Sequence, residues 1–217
     1  MSNTAKITFC GGVGSVTGSN FLFEADGKKI LIDCGLTQGI KLADDLNWGP
    51  FPYNPAEIDI LFITHAHVDH LGRVPKLIEE GFRGKIYSTK PTRALASPML
   101  EDTMGILSKN QNFNLGKIYT AENIKLALTL WSGFDYHENI KITENLSASF
   151  KNAGHILGSG MLELIYNGKK ILFTGDLGNS PSPLLPDTER VTDADYLIME
   201  SVYGDRNHES RDERRKF

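Results

Sequence analysis

Seven consecutive residues, Thr64-His65-Ala66-His67-Val68-Asp69-His70, constrain this chain more than any other stretch. They crowd three of its six histidines and one carboxylate into a single turn. An apolar run, Ile60-Leu61-Phe62-Ile63, leads straight into them, and Leu71-Gly72-Arg73 follows, so the segment reads as strand, turn and helix start. His65 and His67 are two apart, and extended backbone at that spacing points both imidazoles the same way. Asp69 and His70 come where the chain bends, and so face a second, neighbouring position. Three imidazoles with a carboxylate form a borderline-soft nitrogen and oxygen set that suits zinc. The spacing differs from the i,i+4 ligands of a His-Glu-x-x-His helix. The bland alternative is a polar loop with chance histidines, but packing gives no reason to gather ligand types at the end of an apolar strand.

Two later segments fit the same site. Ala153-Gly154-His155-Ile156-Leu157-Gly158-Ser159-Gly160 places one histidine among glycines after a strand, where the backbone can crowd a buried centre. Phe173-Thr174-Gly175-Asp176-Leu177-Gly178 places an aspartate at the end of another apolar strand. Alone, a loop histidine is more often a surface residue and such an aspartate a turn or cap. Beside the first motif they offer a third imidazole for one metal and a carboxylate able to bridge two.

Short apolar runs rich in β-branched residues predict strands at Lys6–Phe9, Asn20–Glu24, Lys29–Asp33, Ile58–Thr64, Lys85–Ser88, Ile140–Ile142, Ala148–Asn152, Met161–Tyr166, Lys169–Thr174 and Tyr196–Glu200. Asp26-Gly27 and Asn167-Gly168 accept the positive φ of tight turns and signal two hairpins. Helices are predicted at Leu71–Glu80, stopped by Gly81, at Pro91–Leu107, with Pro98 and Gly105 against its continuity, and at Ala121–Trp131, capped by Thr120. This order predicts a two-layer or four-layer α/β sandwich rather than a doubly wound sheet.

With 217 residues, 40% hydrophobic and 23% charged, the chain can bury one sizeable core. Its 23 basic and 27 acidic side chains give a net charge of -4, without the broad basic footprint of a stand-alone nucleic-acid binder. Two cysteines, Cys10 and Cys34, form no staple framework, and no leader or membrane-length apolar run is visible. The expectation is a soluble, cytoplasmic protein with no membrane partner.

Other conspicuous segments have bland readings. The glycine-rich Cys10–Gly18 lacks a dinucleotide or phosphate-loop pattern and precedes a strand, so a tight loop near the metal site is favoured, with substrate contact by Ser15 or Ser19 left open. Trp48–Pro55 reads as a rigid loop packed on the core rather than a base-stacking platform. Asn110–Asn114 reads as a solvated loop, and Arg211–Lys216 as a helix start or frayed end. The tail Asp205–Phe217 is almost wholly polar, as if the chain stopped mid-architecture.

In their order, His65-Ala66-His67-Val68-Asp69-His70, His155 and Asp176 resemble the metallo-β-lactamase superfamily. Leu31-Ile32-Asp33-Cys34-Gly35 matches its first motif. Glu200-Ser201-Val202-Tyr203-Gly204-Asp205-Arg206 is similar to the Glu-Ser-Thr-Tyr-Gly-Asp element of the β-CASP nucleases, the RNA-processing branch, as are Val16-Thr17-Gly18-Ser19 and Ala153–Gly160. The likeness runs from Gly11 to His208. It implies the αββα sandwich of the superfamily, incomplete at the carboxyl end. Residues 1–204 would form the amino-terminal portion of that domain, and 205–217 the start of an inserted β-CASP domain.

The resemblance also implies roles. His65, His67 and His155 would hold one Zn2+, Asp69 and His70 a second, and Asp176 would bridge them. Asp33 would support the site from outside the ligand set, and Glu200 would orient a histidine acting as general acid. Asp69, Asp176 and Glu200 would thus be the catalytic carboxylates. Two departures stand out. Val202 replaces the usual threonine, and the two later histidines of the family, one a ligand of the second zinc and one the acid, have no counterpart before Phe217. His137, in a polar loop, and His208 lie in no matching motif. The implied activity is zinc-dependent hydrolysis of RNA phosphodiesters, with RNA as partner and a homodimer left open. The alternatives are a stand-alone hydrolase of esters, thioesters or lactams, and an inactive fragment that only binds.

Overall fold

A computed structural model of the chain describes residues 4–39, 43–107, 118–179, 181–182 and 184–207. The Asn110–Asn114 and Arg211–Lys216 segments and His208 lie outside them. In chain order the elements are β1 (Lys6–Gly11), β2 (Asn20–Ala25), β3 (Lys28–Ile32), α1 (Ala43–Trp48), β4 (Ile60–Phe62), α2 (Val68–Leu71), α3 (Val74–Glu79), β5 (Lys85–Thr89), α4 (Lys90–Leu107), α5 (Ala121–Leu130), β6 (Trp131–Phe134), β7 (Ile140–Lys141), β8 (Leu146–Asn152), β9 (Gly160–Tyr166), β10 (Lys169–Phe173) and β11 (Tyr196–Ile198). One sheet runs β1-β2-β3-β4-β5-β6, the other β11-β10-β9-β8-β7. The β1-β2-β3 and β7-β8-β9-β10 meanders are antiparallel, whereas β3-β4-β5-β6 and β10-β11 pair in parallel.

Side-chain alternation decides how the layers stack. Ile30, Ile32, Ile60 and Phe62 point from the first sheet into a core shared with Phe150, Leu162, Leu164 and Phe173 of the second. Leu31, Leu61 and Ile63, one residue out of step, point the other way, against Leu77 of α3, Leu100 of α4 and Ile124 of α5. Strands β3 and β4 are buried on both faces, which is why they read as continuous apolar runs. The layers are therefore helices, sheet, sheet, as the sandwich expectation requires on this side.

Several boundaries correct the sequence reading. Leu71–Glu80 is not one helix. The Arg73 N–H leaves the helical pattern to donate to the Cys34 carbonyl at 2.8 Å, and Pro75 has no N–H to carry the ladder onward. Ala121–Trp131 ends at Leu130, because Trp131 opens a strand that sequence analysis missed, with Trp131 beside Ile86. The strand expected at Ile58–Thr64 contracts to β4, after a 3-10 turn at Pro55–Glu57 capped by Asn54. Helix α4 is continuous through Pro98, and α1 had not been foreseen. Both hairpin turns form as expected, with φ of 52° and 73° at Asp26-Gly27 and 49° and 74° at Asn167-Gly168. Trp48–Pro55 packs on the core as the bland reading held, with Phe51 buried and stacked on Tyr53.

Candidate metal centre

Parallel pairing gathers the site on one rim. Strands β3 and β4 run side by side, so Asp33 and Thr64–His70 emerge together. Strand β8 is separated from β10 by one antiparallel neighbour, β9, so the two run in the same direction. His155 and Asp176 therefore follow strand ends at that same rim, and Glu200 follows β11, parallel to β10.

The motif turn is strapped to the loop after β3 and to Ser19, just before β2. Cys34 N–H donates to the His70 carbonyl at 2.7 Å, Leu36 N–H to that of Val68 at 3.0 Å, and Ser19 N–H to that of Asp69 at 3.0 Å. The backbones lie so close that a Cβ on Gly35 would stand 1.5 Å from the Asp69 carbonyl oxygen. Only glycine permits this approach.

Four donors converge. His65 Nε2 lies 3.1 Å from His67 Nδ1, and His155 Nε2 lies 3.2 Å from the same atom. Asp176 Oδ2 is 3.8 Å from His65 Nε2 and 3.7 Å from His155 Nε2. One atom from each of the four residues fits within a 4.8 Å span. Tetrahedral donors about 2.0–2.2 Å from a zinc ion stand roughly 3.3–3.6 Å apart. The observed separations bracket that range, so the donor set fits such an ion.

A second group adjoins it through Asp176. His70 Nε2 faces Asp176 Oδ1 at 3.2 Å and Asp69 Oδ2 at 4.0 Å. The other nitrogen of His70, Nδ1, donates to Asp33 Oδ2 at 2.7 Å. A carboxylate behind a histidine in this way fixes its tautomer and aims the free nitrogen outward. Asp33 itself is buried, at a positive φ of 58°. It also accepts from Ser19 Oγ at 3.0 Å and from the Thr64 N–H at 2.8 Å.

Charge follows environment. Burial, reinforced by the other three imidazoles, holds His65 well below its ordinary pKa, so its ring is neutral. Burial also lowers His155. At His70 burial opposes the cation too, but Asp33 and Asp176 outweigh it and raise the ring to about 10. Asp176 is lowered, with burial overcome by His70 and the other imidazoles.

The site residues expected from sequence are all at this rim, but not in one cluster. Glu200 accepts from the Leu177 N–H at 2.9 Å and the Val202 N–H at 3.3 Å, clamping the loop that presents Asp176. His137 lies apart, beside Lys151 and Glu189. A cleft of about 290 Å³ opens from Asp176 and His70 towards Gly12, Ser15, Met199 and Glu200. Sequence analysis missed Thr64, whose hydroxyl is buried at the centre, and left Ser19 open. The structure turns Ser19 inward to Asp33. The available signal was a hydroxyl directly before His65, at the end of an apolar strand.

Residues 22–192 match the family model of the metallo-beta-lactamase superfamily domain. The chain belongs to that superfamily. The match takes in Asp33, the four histidines, Asp69 and Asp176 but stops short of Glu200. Ribonuclease TTHA0252 of Thermus thermophilus is 36% identical over 203 residues, covering 94% of this chain and 45% of the relative. An RNase J-like protein of Methanocaldococcus jannaschii is 36% identical over 202 residues, covering 91% and 42%. These relatives belong to the β-CASP RNA-processing nucleases, the branch that the Glu200 element resembles. The chain spans less than half the length of either. A solved structure from Enterococcus faecalis V583, described as a protein of unknown function, superposes with a TM-score of 0.58 at 18% identity. It covers 80% of this chain and 43% of its own, and shares the fold.

Proposed function

We propose that this chain carries the metal-binding half of a zinc-dependent RNA phosphodiester hydrolase. What carries the reading is the closure of four donors around one point, with Asp176 turning its second oxygen to His70. The ribonuclease names of the relatives support RNA as substrate. His65, His67 and His155 would hold one zinc and Asp69 and His70 a second, with a carboxylate oxygen of Asp176 available to each group. Bound zinc supplies Lewis-acid stabilisation of charge on a scissile phosphate and makes hydroxide available near neutral pH.

The chain's own residues hold and aim this centre. Asp33 keeps the His70 proton on Nδ1, away from the metal-facing nitrogen. Glu200 fixes the Asp176 loop through the Leu177 N–H. Among the described residues it meets no histidine as a hydrogen-bond partner, so the general acid it would orient belongs to a segment outside them. Residues 1–204 are the metallo-β-lactamase portion and 205–217 the beginning of the inserted domain. Among the described residues no helix is long and apolar enough to cross a membrane.

The test is cleavage of labelled RNA by the longest natural form of the protein, with metal content measured alongside. Cleavage with zinc, lost in Asp176→Ala together with the metal, is expected. A fully active Asp176→Ala protein would sink the proposal. Turnover of a chromogenic lactam or thioester with none on RNA would transfer the site to small-molecule hydrolysis.

A further inference from the structure

The Thr64 side chain sits where Asp33, His65 and His70 meet. Its Oγ1 lies 3.0 Å from each oxygen of Asp33, 3.1 Å from His65 Nδ1 and 3.3 Å from His70 Nδ1. The residue is buried, and its own N–H is already given to Asp33 Oδ1. A hydroxyl has one proton to donate and lone pairs to accept with. Asp33 is a carboxylate that only accepts, and it embraces the hydroxyl with both oxygens, so the Thr64 proton goes there. Oγ1 is then an acceptor towards His65, and His65 must carry its proton on Nδ1. That leaves His65 Nε2 as a lone pair, pointed at the position shared with His67, His155 and Asp176.

We infer that Thr64 is a positioning residue that relays Asp33 to the first metal group by fixing the His65 tautomer. Asp33 thereby orders both groups at once, His70 directly and His65 through the hydroxyl. The fit is tight on the other side as well. A Cβ on Gly175 would lie 2.8 Å from Thr64 Cβ and Oγ1, so the side chain also abuts the loop that presents Asp176. A threonine at this point links the ends of β3, β4 and β10, and its methyl group fills the space while its hydroxyl carries the relay.

The inference rests on the metal-centre reading, and the experiment separates the two. Long-range 1H–15N NMR of the histidine rings, on metal-free protein, reads the tautomer of His65 without any ion. An Nδ1–H ring is expected, and an Nε2–H ring overturns the relay whatever the protein binds. Zinc affinity is then measured by chelator competition for Thr64→Val, which keeps the shape and loses the hydroxyl, and for Thr64→Ser, which keeps the hydroxyl. Thr64→Val is expected to weaken binding at the His65, His67, His155 and Asp176 group about 10–100-fold, as loss of such outer partners does, and Thr64→Ser to stay within a few-fold of the parent. Equal affinity in parent and Thr64→Val, or equal losses in Val and Ser, overturns the relay. Should Thr64→Val not fold, the ring spectrum of the parent and the Ser variant still decide.

Discussion

Asp33→Asn alters a single atom at the centre of the site, and its effect follows from the donors that surround it. Asparagine tolerates the φ of 58° found there, so the backbone has no reason to change. The carboxamide, however, offers one acceptor oxygen and one donor nitrogen. The Thr64 N–H, 2.8 Å from Oδ1, cannot turn away, so the amide oxygen takes that place. The amide nitrogen then faces His70 Nδ1, which lay 2.7 Å from Oδ2. His70 must present Nδ1 as an acceptor and carry its proton on Nε2, the atom facing Asp69 and Asp176. A proton there excludes an ion. Affinity on the Asp69–His70 side should fall about 10–100-fold. The His65 side should hold within a few-fold, because the Thr64 hydroxyl still finds the amide oxygen. Losing a buried, charge-assisted hydrogen bond also costs about 1.5–3 kcal/mol of metal-free stability. That lowers Tm by about 3–12 °C for a chain of this length. Calorimetry of chelator-treated protein and zinc competition titrations read both effects. An Asn variant that keeps affinity on the Asp69–His70 side intact, or weakens both sides equally, would refute the reasoning.

Two further outcomes follow from the same geometry. Gly35→Ala must push the loop after β3 away from Asp69, and should destabilise the fold by about 3 kcal/mol or more; urea unfolding with an unchanged midpoint would contradict the close approach. In metal-free protein His70 titrates near 10 rather than at its ordinary 6.5. The stability this confers is fully present below about 6.5 and declines as pH rises towards 10. Chelator-treated protein should therefore unfold at lower urea at pH 8.5 than at pH 6.5, and zinc, which displaces the proton, should flatten that slope. A flat profile without metal would mean that Asp33 and Asp176 do not hold the imidazolium.

Much of the architecture was legible because its signals are local. The period-two switch between Ile30, Leu31 and Ile32 assigns each side chain to a layer, and the two hairpins follow from dipeptides that accept positive φ. The candidate ligands stood out because four, His65, His67, Asp69 and His70, lie within one turn, and the other two, His155 and Asp176, follow strands. What escaped was set by partners distant in sequence. Trp131–Phe134 contains serine and glycine and has no strand signature of its own. It becomes a strand by pairing with β5, where the Trp131 indole N–H donates to Ser88 Oγ at 2.8 Å. The break after Leu71 depends on the Cys34 carbonyl taking the Arg73 N–H, and no window of local sequence contains both.

By itself the sequence determined which residues could bind a metal and which strands present them, since ligand chemistry and side-chain alternation are properties of short segments. The tertiary structure alone decided how those atoms are aimed. Whether His65 offers Nε2 or Nδ1, and whether His70 is a cation or a ligand, depends on Asp33, which lies 31 residues before Thr64 and 37 before His70. It meets them only because β3 and β4 run in parallel to one rim. A hydrogen bond is a contact in space, and the fold brings its partners within reach.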